Sequence, residues 1–223
     1  MKNLWIIANW KSNKSIGEAL DWVSQVGPKL IESENVKVVV CPTFSCLSEV
    51  SKAVKVGGYP LIVGSQDLSP FSAGAYTGEE SASLIREFVT VSILGHSERR
   101  QNFSETDEMV EKKVAQALEN NIIPLVCVQG EETPVPSNCK LIAYEPVFAI
   151  GSGTPDTPDN ADKVAASLKE KNGSDLEVLY GGSANSENCK GFLQRDNING
   201  LLIGKASLDP EEFVRIIEVA QTL

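Results

Sequence analysis

The feature that most constrains this sequence is a rhythm of eight short apolar runs, separated by stretches with helical spacing or turn chemistry. The runs are Leu4 to Ala8, Val36 to Cys41, Leu61 to Gly64, Val91 to Gly95, Ile122 to Val128, Leu141 to Glu145, Leu176 to Tyr180 and Gly200 to Gly204. They lack the apolar-polar alternation of a strand with one wet face, so they read as parallel strands covered on both sides. Parallel neighbours need crossovers, usually helical, and the intervening segments carry helix signals. Asp209 supplies an N-cap before Pro210, Glu211 and Glu212, and Phe213, Ile216, Ile217 and Ala220 follow as one stripe. Thr157 and Pro158 repeat that start ahead of Ala161, Val164, Ala165 and Leu168. Ser104 and Asp107 have the spacing of a capping arrangement before Val110, Val114, Ala117 and Leu118.

Eight β units with helices between them fit a closed (β/α)₈ barrel or an open doubly wound sheet. No Gly-x-Gly-x-x-Gly follows the first run, and Gly151-Ser152-Gly153 is incomplete as a dinucleotide loop. The expectation is therefore an α/β chain whose residues 1–223 form one (β/α)₈ barrel domain. One crossover is anomalous. Only residues 129–140, with Pro134 and Pro136 among them, separate the fifth and sixth runs, which is near the minimum for a parallel connection. The fifth helix should be shortened or absent, leaving the outside of strands five and six less covered.

Twenty basic against thirty acidic residues give a net charge of −10, which repels nucleic acid and anionic membrane surfaces. An anionic substrate would need a locally positive pocket. The five cysteines are odd in number and form no Cys-x-x-Cys, so neither a structural zinc site nor a disulfide framework is expected, and a reducing cytoplasm fits. The apolar stretch from Leu4 to Ala8 is too short for a signal-peptide core or a membrane span.

In a barrel of this kind the chemistry sits at the C-terminal ends of the strands. The first run leads into Asn9-Trp10-Lys11, and period-two geometry puts Asn9 and Lys11 on one side. The fourth leads into Gly95-His96-Ser97-Glu98-Arg99-Arg100, which holds the chain's single histidine. Amide groups at the start of such a turn oppose protonation of the ring, so a neutral imidazole donor is chemically reasonable there. A lone histidine is also a common structural residue, and a strand-end lysine a common solvated charge. The sixth run ends in Tyr144-Glu145, where a carboxylate is costly unless paired or exposed. The next segment, Pro146, Val147, Phe148, Ala149, Ile150, Gly151, Ser152, Gly153 and Thr154, is apolar at one end and glycine-rich at the other, as suits either a water-excluding lid or a packed loop. Glycine turns at Gly181-Gly182-Ser183 and Gly204-Lys205 follow the last two runs, where such barrels usually hold phosphate.

Asn-x-Lys, Gly-His-Ser-Glu-Arg-Arg, Tyr-Glu-Pro-Val-Phe-Ala-Ile-Gly-Ser-Gly and Tyr-Gly-Gly-Ser, in this order, resemble the triosephosphate isomerase family over nearly the whole chain. The resemblance implies an aldose-ketose isomerase of glycolysis and gluconeogenesis, acting on triose phosphates through an enediolate. It implies Glu145 as base, His96 and Asn9 as polarising groups and Lys11 as the compensating charge, with Glu98 behind Lys11. It also implies phosphate-binding amides at Gly151, Ser183, Gly204 and Lys205, a lid from Pro146 to Thr154, and no metal or organic cofactor. Gln66-Asp67-Leu68-Ser69 through Glu79 resembles the family's dimer-forming third loop, so Gln66, Thr77 and Glu79 are expected at a homodimer contact. Three positions depart from the family pattern. Phe148 stands where tryptophan is usual, Thr154 where lysine is common, and Lys205 where glycine is usual. A sugar-phosphate epimerase or aldolase on the same fold would share the phosphate turns but lack the Asn9, Lys11, His96, Glu145 set. A barrel that only binds sugar phosphates should have lost at least one of them.

Overall fold

Eight parallel strands close on themselves in a computed structural model that describes residues 2–149 and 155–223. They are β1 (Leu4–Asn9), β2 (Val36–Cys41), β3 (Ile62–Ser65), β4 (Val91–Leu94), β5 (Ile123–Val128), β6 (Leu141–Tyr144), β7 (Glu177–Tyr180) and β8 (Gly200–Ile203), paired in chain order. Closure comes from the register Trp5↔Gly200 through Ala8↔Ile203 between β1 and β8. Each strand falls on one of the eight apolar runs, with no end shifted by more than a residue. The outer ring is α1 (Ile16–Val26), α2 (Phe44–Gly57), α3 (Ala82–Ile85), α4 (Ser97–Phe103), α5 (Asp107–Glu119), α6 (Pro158–Asn172), α7 (Cys189–Leu193) and α8 (Pro210–Gln221). This is a TIM barrel.

The continuous apolar runs are explained by two separate cores. Trp5, Ile7, Val39, Val91, Leu125 and Leu179 belong to the cluster inside the barrel. Their strand neighbours, among them Ile6, Val40, Val126, Val178 and Leu201, belong to the cluster under the helices. Successive side chains point to opposite faces of a strand, so both phases must be apolar.

Local sequence sets the helix starts. Asp209 accepts from Glu212 N at 2.9 Å, and Thr157 from Asn160 N at 3.2 Å. Ser15 and Glu18 form a reciprocal capping box on α1. The expected Ser104 cap is not what the structure uses. Thr106 caps α5 by accepting from Met109 N at 3.3 Å, while Ser104 ends α4 in the left-handed region at φ 54°. The α5 N-cap must directly precede Asp107, and Ser104 lies too far upstream.

Residues 129–140 contain no helix, in keeping with the contracted crossover. The expected exposure of strands five and six does not follow. Val126, Val128 and Ile142 on their outer faces are 0% exposed and Tyr144 is 5%. Val135 packs on this cluster and Cys139 joins it, with the Cys139 thiol 3.2 Å from Leu141 O and 3.7 Å from Pro124 O. Lys171 of α6 reaches across to Glu131 O at 2.8 Å. The outer faces of β5 and β6 are thus buried with no helix between them, and Cys139 is seated against both strands.

Candidate active site

The interior phase of each strand, continued one step past its end, reaches the barrel rim. That step gives Asn9 on β1, Gln129 after β5, Glu145 after β6, Gly181 after β7 and Gly204 after β8. A cavity of about 780 Å³ opens there, lined among others by Asn9, Lys11, His96, Gly181, Ser183, Gly204 and Lys205.

Gly95 turns the chain at the end of β4 with φ 67°, placing His96 as the N-cap of α4. His96 Nδ1 accepts from Glu98 N at 3.2 Å. Accepting at Nδ1 leaves Nε2 as the ring's N–H donor. Nε2 stands 2.9 Å from Glu145 Oε1, although the approach is not aligned as a hydrogen bond, and among the described residues Oε1 has no other donor. The second oxygen, Oε2, accepts from Ser97 N at 2.9 Å and from Gln129 Nε2 at 3.4 Å. Glu145 is fully buried, so its carboxylate depends on these few contacts. Below it in the barrel, the Cys127 thiol is held well above the ordinary thiol range, first by burial and then by the charge of Glu145. Gly181 makes room for this base, since a Cβ there would stand 3.0 Å from Glu145 Cγ.

Asn9 and Lys11 both face the cavity, but period two is not the reason. Lys11 lies beyond the end of β1 with φ 52°, a left-handed conformation costing a side-chain-bearing residue roughly 1–2 kcal/mol. Every polar group of Lys11 is held. Its N–H donates to Asn9 Oδ1 at 3.0 Å, its carbonyl accepts from Gln66 Nε2 at 2.9 Å, and its ammonium meets Glu98 Oε1 at 2.5 Å.

Across the cavity the wall is backbone. Asn188 Nδ2 donates to Ser183 O at 3.1 Å, and Ser207 Oγ donates to Gly204 O at 2.7 Å. Trp22 Nε1 donates to Ser207 O at 3.0 Å and so fastens the turn after β8 to α1. Lys205 is exposed at this turn and is not among the residues with positive φ, so it carries no glycine-specific strain.

Of the third-loop residues, Thr77 and Glu79 are exposed within the stretch 71–80, whose base is closed by Ser69 N donating to Glu80 O at 2.8 Å. Phe71 and Tyr76 stack on each other there at 4.3 Å. Gln66 behaves differently from its neighbours in that loop, because its amide bonds within its own chain to Lys11 O and Cys41 O. Pro146 is buried and Val147 and Phe148 are exposed, while Ile150, Gly151, Ser152, Gly153 and Thr154 lie outside the described residues.

Sequence reading missed Gln129 and a buried charge cluster. Gln129 has the same signal as Glu145, a polar residue one step past an apolar strand. In the cluster, Lys113 on α5 bonds Asp67 Oδ1 at 2.7 Å and also Glu105, and Arg99 Nε lies 2.9 Å from Asp67 Oδ2. Burial pushes the Asp67 carboxyl up to about 6, against the pull of Lys113. Its signal was Lys113 itself, a charge at a core position of the helical stripe begun by Val110.

Comparison with known proteins adds a family to this geometry. Residues 4–220 match the family model described as triosephosphate isomerase. The triosephosphate isomerase of Endomicrobium trichonymphae is 36% identical, covering 99% of this chain and all of that protein. That of Alkaliphilus oremlandii is 39% identical over 97% of this chain and 99% of its own length. The first alignment spans 253 positions against 223 residues here, so that relative carries segments this chain lacks. The crystal structure of triosephosphate isomerase from Bartonella henselae superposes with a TM-score of 0.84 at 28% identity, covering 98% of this chain and 99% of that one.

Proposed function

The chain belongs to the triosephosphate isomerase family, and from that premise we propose how its rim cavity interconverts dihydroxyacetone phosphate and D-glyceraldehyde 3-phosphate. The observation that carries the assignment is the pairing of His96 Nε2 with the buried Glu145 carboxylate, 2.9 Å apart, beside a cavity that Lys11 and Asn9 share. Glu145 turns from Ser97 into the cavity and takes a proton from the carbon next to the substrate carbonyl. The carbonyl π electrons move to oxygen, where the His96 N–H and the Asn9 amide meet the developing charge. Lys11 offsets the charge of that oxygen and of the phosphate. The hydroxyl proton of the enediolate passes by way of His96 to the former carbonyl oxygen, and as Glu145 returns its proton to the neighbouring carbon the other oxygen closes the new carbonyl, which completes the isomerisation with no net redox change. This division of labour between a glutamate base and a neutral histidine is the one known for the family. Ser183, Gly204 and Lys205 hold the phosphate with Gly151, and Pro146 to Thr154 close over it to exclude water.

A coupled isomerase assay on purified protein tests this, with Glu145→Gln as the control. The variant should lose at least ~10²-fold in kcat, the scale of losing a positioned base. Unchanged activity would remove Glu145 from the mechanism.

The working form is proposed to be a cytoplasmic homodimer. The exposed stretch 71–80 projects stacked Phe71 and Tyr76, with Leu84 and Phe103 also exposed, and an isologous contact would cover such groups. All five cysteines are free thiols, which suits a reducing compartment. Shortening the loop between Leu68 and Tyr76 should give a monomer by ultracentrifugation with strongly reduced turnover. A monomer as active as its parent would show that each barrel organises its own site.

A further inference from the structure

Lys11 is held by two residues whose sequence neighbours are bound to each other. Gln66 takes its carbonyl and Glu98 takes its ammonium. The next residue after Gln66 is Asp67, and the next after Glu98 is Arg99, and these two form an ion pair at 2.9 Å. The pair does not float. Both oxygens of Asp67 accept from Lys113 Nζ, at 2.7 and 2.8 Å, and Glu105 bonds both Lys113 and, at 3.3 Å, Arg99 Nε. Lys113 is 2% exposed and Glu105 5%. These buried members anchor the pair, since breaking a buried charge pair is strongly destabilising, while Arg99 itself is 34% exposed. The loop after β3 and helix α4 are thereby locked at one separation, and Lys11, in its left-handed conformation, spans that separation.

We propose that Asp67, Arg99, Lys113 and Glu105 are positioning residues for Lys11, acting through Gln66 and Glu98 to hold its ammonium over the cavity. The consequence for catalysis rests on the isomerase reading of the site, whereas the mechanical link does not. Lys11 meets substrate charge both in the bound and in the reacting state, so a loosened Lys11 raises KM and lowers kcat together.

The test uses full-length protein with Arg99→Met and Arg99→Lys, because Arg99 is the partly exposed member whose loss the fold tolerates best. Hydrogen exchange by mass spectrometry is followed over residues 10–14, alongside isomerase kinetics. Arg99→Met should speed exchange in that segment about tenfold with the strands unchanged, raise KM and lower kcat, and Arg99→Lys should restore most of both. Parent-like exchange over 10–14 in Arg99→Met overturns the proposal whatever the activity does. Faster exchange across the whole barrel overturns it too, since the cluster would then be merely structural. Faster exchange confined to 10–14 in a chain whose parent lacks isomerase activity upholds the link and overturns the reading of the site instead.

Discussion

The two walls of the cavity are built from different materials. One is made of side chains, Asn9, Lys11, His96 and the adjacent Glu145, of which Lys11 and Glu145 are positioned by partners from other strand ends and Asn9 and His96 by amides of their own turns. The other is made of turns, Gly181 to Ala184 and Gly204 to Ala206, whose shape is set by packing from outside, as Trp22 does through Ser207 O. On the proposed reaction, the side-chain wall concentrates charge and proton chemistry where the substrate changes. A backbone wall presents a shape to the part of the substrate that does not change. Removing a side chain should therefore cost rate, and altering a turn residue should cost fit.

The largest effect is expected on the side-chain wall. His96→Ala removes the N–H proposed to meet the substrate oxygen and the ring that stands 2.9 Å from Glu145 Oε1, and should lower kcat by roughly 10²-fold or more. Steady-state kinetics on a variant with the parent's melting temperature decide the point. A near-parent rate would make His96 a structural cap of α4 and erase the contrast between the walls.

A smaller effect is expected where the walls meet. Gly181 does not have positive φ, so alanine is allowed by its backbone, but the new Cβ would stand 3.0 Å from Glu145 Cγ and 3.2 Å from Tyr144 O. The backbone oxygen is fixed by Gly181 N at 2.8 Å, so the carboxylate has to yield. Gly181→Ala should lower kcat by about tenfold with a lesser change in KM, because sub-ångström displacement of a reacting group is costly. A change confined to KM would assign Gly181 to the phosphate wall alone.

The same division explains what could be read from sequence. His96 and Glu145 stood out because polar residues at the ends of apolar strands are expensive without a purpose, and the eight apolar runs themselves made the barrel legible. The turns were weak signals singly, since glycine at Gly181 or Gly204 reports only that something approaches, and what approaches is a residue distant in sequence, Glu145 or Lys11. Gln66 looked like part of a projecting loop because its bonds to Lys11 O and Cys41 O are long-range. The cover over strands five and six was invisible for a related reason. Period 3.6 finds helices, and Val135 and Cys139 join the outer core from an irregular segment.

The smallest effect is expected at Lys205, among the described residues the one charged residue of the backbone wall. The chain's net charge of −10 opposes the approach of a phosphate, so cations at the cavity have to reverse the field locally. Lys11 does so from one side at short range, with Glu98 taking part of its charge. Lys205 faces the cavity from the other side, is exposed, and has no positive φ that would make glycine intrinsically better there. An exposed ammonium acts through water and is screened over about 8 Å at physiological salt, so its contribution is at most ~1 kcal/mol. Lys205→Gly keeps the backbone amide and removes only this field. KM for the triose phosphate should rise two- to fivefold at low ionic strength, converge with the parent's at high salt, and leave kcat unchanged, because about 1 kcal/mol is roughly a fivefold change in binding. Measuring KM and kcat at two ionic strengths separates the cases. A salt-independent fall in kcat would mean that the residue acts through the turn's geometry, and an unchanged KM at low salt would mean that the phosphate wall works by backbone alone.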